Sequence, residues 1–453
     1  MIQRLDLSRL TPYLVSIAGL YLLTILFFSP EILENKSLAV EDSKKGGQMA
    51  REMSEYKRET GEVTMWTGTM FSGMPVTMIQ LKEYFSPLVW FRALQRGIFL
   101  SYSAQAFFAY QISMFVLLVC FRANPYWAMA GAMTFGLTSY NLIIIDVGHL
   151  WKVYAIASAC LVLGGMRLVF SGNRLWGFLL AALGTALELL ANHAQITYYL
   201  FFVVVIYAIT ELVFAVREKR LGSFGTSVGV LVLAAVLGLG ANIGRLWSMY
   251  EYSQHSNRGK VHLTPIQSDE QEVGDTGVGS KSYAFNWSQG VDETLTLLIP
   301  YYKGGSSGEK VREDSDLYRE ISRSQIPQQQ KQLFLENAPL YFGTQPSTAG
   351  PIYAGAVVCF LFVLGMFYTS TQNRIWMLTG AAVTMMIAWG SNFTTLNYFL
   401  FDHFPFFNKF RAVSMSLSLT ILILVLGACI GVQKILEEKV TPKELKQLYI
   451  AFG

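Results

Sequence analysis

The chain reads as an all-α polytopic membrane protein, and three observations predict it. About ten apolar stretches divide its 453 residues, several of them close to the ~20 residues a helix needs to cross ~30 Å of hydrocarbon. The hydrophobic fraction is 52% against 15% charged, too little polar residue to clothe a soluble globule of this length. Lys and Arg gather in alternate short connections, where they mark the cytoplasmic side. Continuous runs such as Val203-Val204-Val205-Ile206 lack the alternation of a barrel strand, which leaves helices as the spanning elements.

In order, the first stretch (11–28) has the charge and apolar core of a signal peptide. Phe27-Phe28-Ser29-Pro30 offers no small-residue cleavage site, so it reads as a retained signal anchor. Residues 29–103 form a first outer loop. Within it Met49, Met53 and Tyr56 recur at helical spacing among charges, as in a helix lying at the headgroups. Trp66 to Pro75 is a Gly-punctuated turn, and Tyr84 to Leu100 mixes aromatics with Arg92 and Arg96 as an interfacial helix does. Spans at 104–121, 125–143, 153–170, 175–190, 198–214 and 225–243 follow, the fifth of the ten short enough to be re-entrant.

Residues 244–350 form a second, larger outer loop. Its stretches Ser253–Ser282 and Gly304–Arg323 are polar and read as mobile, whereas Trp287–Pro300 and Leu340–Pro351 join aromatics to turn residues and read as ordered islands. Spans at 351–368, 375–390 and 414–436 complete the transmembrane domain of 1–436, leaving a charged tail at 437–453. With ten spans, Arg4, Arg9, Arg167, Arg174, Arg217, Lys219, Arg220, Arg374 and Lys434 all fall on one side, which places both termini in the cytoplasm.

Several function classes drop out. The net charge of +4 is mild and sits mostly in the cytoplasmic flanks, so no nucleic-acid partner is expected. The four cysteines lie in apolar spans and make neither a disulfide framework nor a CxxC spacing. No phosphate-cradling GxxxxGK[ST] is present.

Intramembrane polarity instead collects at three outer junctions, Asp146 to Lys152, Glu188 to Tyr199 and Phe401 to Arg411, and all five histidines fall outside. Ionisable groups at a membrane boundary are costly and mark a site by default.

The strings around Asp42, WTGTMFSGMP (66–75), DVGHLWKVYAIA (146–157), ELLANHAQITYY (188–199), WSQGVDETLTLLIP (287–300), YFGTQPSTAGPIYAGA (341–356) and FRAVSMSL (410–417) resemble the bacterial YfhO-type membrane proteins, which are grouped with the GT-C glycosyltransferases. The resemblance runs over essentially the whole chain. It implies a GT-C-like bundle in the bacterial inner membrane, a polyprenyl-phosphate-linked sugar as donor, and a cell-envelope glycan or lipid as acceptor on the periplasmic or exterior face. It also implies an acidic residue early in the first outer loop, and Asp42 matches it, with Glu41 alongside. YfhO-type proteins commonly continue past this point with further spans, so the tail beyond 437 is read as that of a short member or as a truncation point.

The chemistry fits those residue types. A lipid phosphate is a good leaving group, and the acceptor hydroxyl must lose a proton to a positioned carboxylate, the role of Asp42 with Glu41. Charge accumulating on the phosphate calls for fixed cations, for which Lys152 and Arg411 are the candidates. His149, His193 and Gln195 are expected to orient phosphate or bind sugar hydroxyls, and Glu293 to bind acceptor or sugar or help hold a cation. A carboxylate pair serves as base with or without a divalent ion, so the cofactor is left open. Competing readings stand beside these. The acidic pair reads equally as a solvated surface pair, Lys152 and Arg411 as snorkelling side chains, His193 as a packing histidine, and His149, His193 and His403 as zinc ligands if they converge. At the level of the whole chain, a lipid or polysaccharide flippase and a non-catalytic envelope assembly protein on a GT-C frame compete with the transferase.

Overall fold

The computed structural model describes residues 7–34, 36, 38, 46–70, 72–78, 87–255 and 280–437. Within these the apolar runs are helices, because in hydrocarbon each backbone N–H and C=O must be bonded inside its own segment. The helices are α1 (Leu7–Phe27), α2 (Arg51–Thr60), α3 (Leu88–Arg96), α4 (Tyr102–Cys120), α5 (Pro125–Gly136), α6 (Ser139–Val147), α7 (Leu150–Phe170), α8 (Arg174–Leu190), α9 (Ala194–Arg217), α10 (Leu221–Gly240), α11 (Ile243–Ser253), α12 (Asp316–Arg323), α13 (Gln328–Asn337), α14 (Ala356–Tyr368), α15 (Thr371–Ala388), α16 (Thr394–His403) and α17 (Leu417–Glu437). Shorter turns of helix join some of them. The chain is an all-α membrane-embedded protein in this part, with only a two-residue ribbon of strands, Trp66 opposite Pro75 and Thr67 opposite Met74.

Among the described residues six helices are long and apolar enough to cross a membrane, or seven if the bent pair α5–α6 is one span. Helices α8, α14 and α15 stand where the sequence predicts three further spans. Two of them are short, at 17 residues for α8 and 13 for α14, so length and composition support six or seven spans and not the ten expected. The spans differ in position. In α17 83% of the apolar window is buried and in α4 and α7 78%, against 17% in α1 and α10. The first three make the centre of the bundle and the last two its lipid-facing rim.

Lipid is as apolar as leucine, so helices associate by close packing of small residues rather than by hydrophobic drive. Two seams show this. A Cβ on Gly165 would lie 2.5 Å from the Ala181 nitrogen, on Gly177 2.6 Å from that of Val169, and on Gly184 2.7 Å from that of Val162, which sets α7 and α8 backbone to backbone and antiparallel. At the α14–α17 crossing a Cβ on Gly431 would lie 2.0 Å from the Cα of Gly365.

The predicted span at 125–143 is broken by 52° between α5 and α6. The break is tolerated because side chains take over the freed carbonyl: Thr138 Oγ1 and Asn141 Nδ2 both donate to Phe135 O, at 2.9 and 2.8 Å. This kink delivers the corner between α6 and α7 to the end of the bundle where α8 also meets α9. Basic connections gather at the opposite end, where Arg167 lies over the Phe121 ring, Arg174 bonds Ser223, and Gln433 donates to Arg122 O.

The described parts of both large loops lie over the first end. In α2 the Glu52 carboxylate accepts from Thr67 Oγ1, Gly68 N and Thr69 N at 2.7, 2.8 and 3.1 Å, so this helix braces the Trp66–Pro75 turn. The helix expected at Tyr84–Leu100 is present from Leu88 to Arg96. It carries Trp90 and Leu94 outward, and the turn after it exposes Ile98 and a Phe99 that is 96% exposed, the profile of an element dipping into lipid. Within the second loop the stretch read as mobile at Gly304–Arg323 contains α12, whose Ser315 side chain caps the Tyr318 amide. The other stretch so read, Ser253–Ser282, lies mostly outside the described residues. The two islands are tied together: Phe342 N donates to Lys303 O at 2.8 Å and Thr344 Oγ1 to Ser288 O at 2.9 Å.

Candidate functional site

The polar residues of the first end are positioned by tight corners between helices. Gly148 ends α6 with a left-handed backbone (φ 87), where a Cβ would be strained, and turns the chain straight into α7. His149 stands at the N-cap of α7 and Lys152 lies one turn in. Lys152 Nζ is 3.4 Å from His149 Nδ1, although its side chain is only 5% exposed. An ammonium drawn so far from water is held by neighbours or by an anion.

The α8–α9 corner is made by Asn192, also left-handed (φ 56), and by His193, whose Nδ1 accepts the Ile196 amide at 3.4 Å. Burial, then the positive Lys152 and then His149 hold the His193 imidazole down at about 4, well below its ordinary value. It is therefore neutral at pH 7, and Nδ1 as acceptor leaves the proton on Nε2, available as a donor. His149, Lys152 and His193 thus form one group of a cation and two imidazoles at the mouth of the bundle. Its electrostatics favour an incoming anion.

Gln195 reaches a different segment. Its Nε2 bonds Tyr199 OH at 2.8 Å and the carbonyl of Arg411 at 2.5 Å, fastening α9 to the strap that leads into α17. Ala412 beside it has a left-handed backbone (φ 57), a conformation an L-residue keeps only where its surroundings enforce it. The Arg411 side chain points to solvent. Its Nη1 donates to Tyr283 OH at 2.9 Å, and its guanidinium lies 5.5 and 5.7 Å over the rings of Tyr283 and Trp287. This is an exposed cation stacked on two aromatic rings. Nearby Lys281 pairs with Asp402 at 2.7 Å.

Glu293 has another occupation. Its buried carboxylate accepts from Tyr341 OH at 2.7 Å, Gly290 N at 3.1 Å and Thr344 N at 3.4 Å, which clasps the two islands of the second loop together. Burial and the Glu293 hydrogen bond push the Tyr341 phenol up. His403 stands apart from the imidazole pair, stacked on Phe399 at 4.7 Å with Nδ1 on the Phe399 carbonyl. No group of three His, Cys, Asp or Glu side chains suited to a metal occurs among the described residues. Glu41 and Asp42, where a base or a divalent ion is expected, lie outside the described residues.

The structure adds partners that pattern reading did not assign. Glu188, buried in the last turn of α8, accepts from Thr197 Oγ1 at 2.8 Å to each oxygen. Asn242 and Arg245 hold the end of the same helix, with Nδ2 on Ala186 O at 2.9 Å and Nη1 on Leu190 O at 2.7 Å. A carboxylate at the end of an apolar run was the signal for Glu188; its partner nine residues on was not visible without the corner. Comparisons with protein-family models, with curated proteins and with solved structures return no match.

Proposed function

We propose that this chain is an integral-membrane glycosyltransferase of GT-C type, moving a sugar from a polyprenyl-phosphate carrier to an envelope acceptor on the outer face of a bacterial inner membrane. In this reading the bundle has ten spans with both termini cytoplasmic. Asp42, with Glu41, takes the proton of the acceptor hydroxyl as it attacks the anomeric carbon. The carrier phosphate leaves with the bonding electron pair. The observation that carries the reading is the buried Lys152 between His149 and His193 at the bundle mouth. Fixed positive charge and a neutral imidazole N–H at headgroup depth stabilise charge developing on a phosphate without reorganisation. Arg411, stacked on two aromatic rings, offers a second cation at the same end. Glu293 and Gln195 act indirectly, by fixing the straps over the mouth.

The test is sugar transfer in proteoliposomes from a radiolabelled polyprenyl-phosphate sugar. Asp42→Asn is expected to lower turnover by at least about 100-fold at unchanged insertion, the scale of a lost general base. Full turnover by that variant removes Asp42 from the base role. Movement of carrier across the bilayer with no sugar transferred would replace the reading by a flippase.

A further inference from the structure

A second place on the molecule pairs positive charge with apolar surface, and it lies apart from the Lys152 group. Between α3, α4, α7 and α8 runs a groove of about 190 Å³, lined by Phe91, Leu94, Ile112, Val116, Leu183 and Leu187 among others. An apolar cavity of roughly 150 Å³ already takes a ligand as large as benzene, so this one has room for a run of methylenes. Its sole polar floor is internally engaged: Gln95 Nε2 donates to Ser113 Oγ at 3.2 Å and to Ser158 Oγ at 3.1 Å. The rim residues Phe91 and Leu94 are exposed, which opens the groove sideways to the bilayer.

At the head of the groove α3 carries Arg92 and Arg96, one turn apart on one face. The Arg96 guanidinium lies 3.8 Å over the Tyr154 ring, and both arginines bear electrostatically on the Tyr154 hydroxyl. Tyr154 is 4% exposed and its hydroxyl finds no hydrogen-bond partner among the described residues. On α7, Tyr154, Ser158 and Leu161 follow at helical spacing along one face, so the hydroxyl and the groove wall are continuous. Lys152 is about 200° around the same helix and faces elsewhere.

We infer that this is a binding site for an anionic membrane phospholipid, its phosphate held by Arg92, Arg96 and the Tyr154 hydroxyl and one acyl chain lying in the groove. Charge complementarity selects the class: two guanidiniums suit a phosphate in a headgroup of net negative charge and repel the quaternary ammonium of a choline headgroup, and the phenol hydroxyl adds a donor. The position of α3 at headgroup level, with lipid-facing Trp90 and Phe99, puts those donors at phosphate depth. Bound lipid would fix α3 against α4, α7 and α8.

The full chain is tested in nanodiscs of mixed phosphatidylglycerol and phosphatidylcholine, with retained lipid counted by native mass spectrometry. Wild type is expected to retain phosphatidylglycerol in preference. Arg92→Gln with Arg96→Gln should weaken that retention roughly thirty-fold, the scale of two basic side chains near a membrane surface, and Leu183→Trp, which fills the groove, should reduce both lipids. Arg122→Gln, at the other end of the bundle, should change nothing. Equal retention of the two lipids by wild type, or an unchanged preference in the double variant, overturns the inference. Wild type alone gives an independent readout through a phosphatidylglycerol with a photoreactive acyl chain. Adducts must map to peptides spanning 91–95 or 180–187, and adducts confined elsewhere overturn it too.

Discussion

Protonation of His193 sets a measurable pH dependence on this protein. The imidazole is held at about 4 in the folded chain, while an unperturbed histidine titrates near 6.5. The gap is 6.5 − 4, about 2.5 units, or roughly 3 kcal/mol at 1.36 kcal/mol per unit. Because the folded value is the lower one, the unfolded chain binds more protons between the two. Stability is therefore complete above pH 6.5, falls through the window from 6.5 to about 4, and is flat again below it with respect to this group. His193→Gln keeps an acceptor for the Ile196 amide and a donor N–H, but cannot titrate. The assay is unfolding in mixed micelles of mild detergent and sodium dodecyl sulfate, read by tryptophan fluorescence at half-unit steps of pH. The wild-type-minus-variant difference should change by about 3 kcal/mol across the window, and by less in a Lys152→Met background, where the neighbouring ammonium is gone. Parallel curves for wild type and His193→Gln from pH 6.5 to 4 would refute the placement of a neutral, charge-crowded imidazole at the α8–α9 corner.

Two further outcomes follow from packing and from loop bracing. Gly431→Leu introduces a Cβ 2.0 Å from the Cα of Gly365, so α14 and α17 must part, at a cost of about 3 kcal/mol of overpacking that a lowered thermal midpoint in detergent would register. Glu52→Ala removes the acceptor of the Gly68 and Thr69 amides, and hydrogen exchange at those two amides should quicken while the global melting point stays put. The Thr67 hydroxyl and the Gly68 amide hold Glu52 below the ordinary glutamate range, so wild type should lose the same protection only as pH falls through that lowered value.

Much of the helical framework was legible because apolar runs long enough to matter have one solution in lipid. The limits of α1, α4, α7, α9 and α17 fall within a few residues of the predicted spans. Length and proximity were harder to read. Gly165, Gly177 and Gly184 look like ordinary small residues in a sequence, yet they bring α7 and α8 into backbone contact and let a helix of 17 residues pack as part of the bundle. The break after Gly136 was hidden because Thr138 and Asn141 repair the carbonyl through side chains that leave the hydropathy profile smooth. At the site, the grouping of polar residues at helix ends was readable, and it brought His149, Lys152 and His193 together. The Glu293 clasp was not readable, because two of its three donors, Tyr341 and Thr344, come from a segment about fifty residues later and meet it only in the fold.

The clasp has a practical corollary. Glu293 with Tyr341, and the Gly304–Tyr341 bridge beside them, tie off the stretch that carries α12 and α13 at its neck. Such a tied-off appendage accepts cargo: a compact fusion partner or cysteine-reactive dye grafted between α12 and α13 leaves the ring of contacts beneath it whole. Reporters placed there would announce on which side of the bilayer the bundle mouth opens, and would give imaging a rigid landmark on an otherwise featureless membrane-bound body.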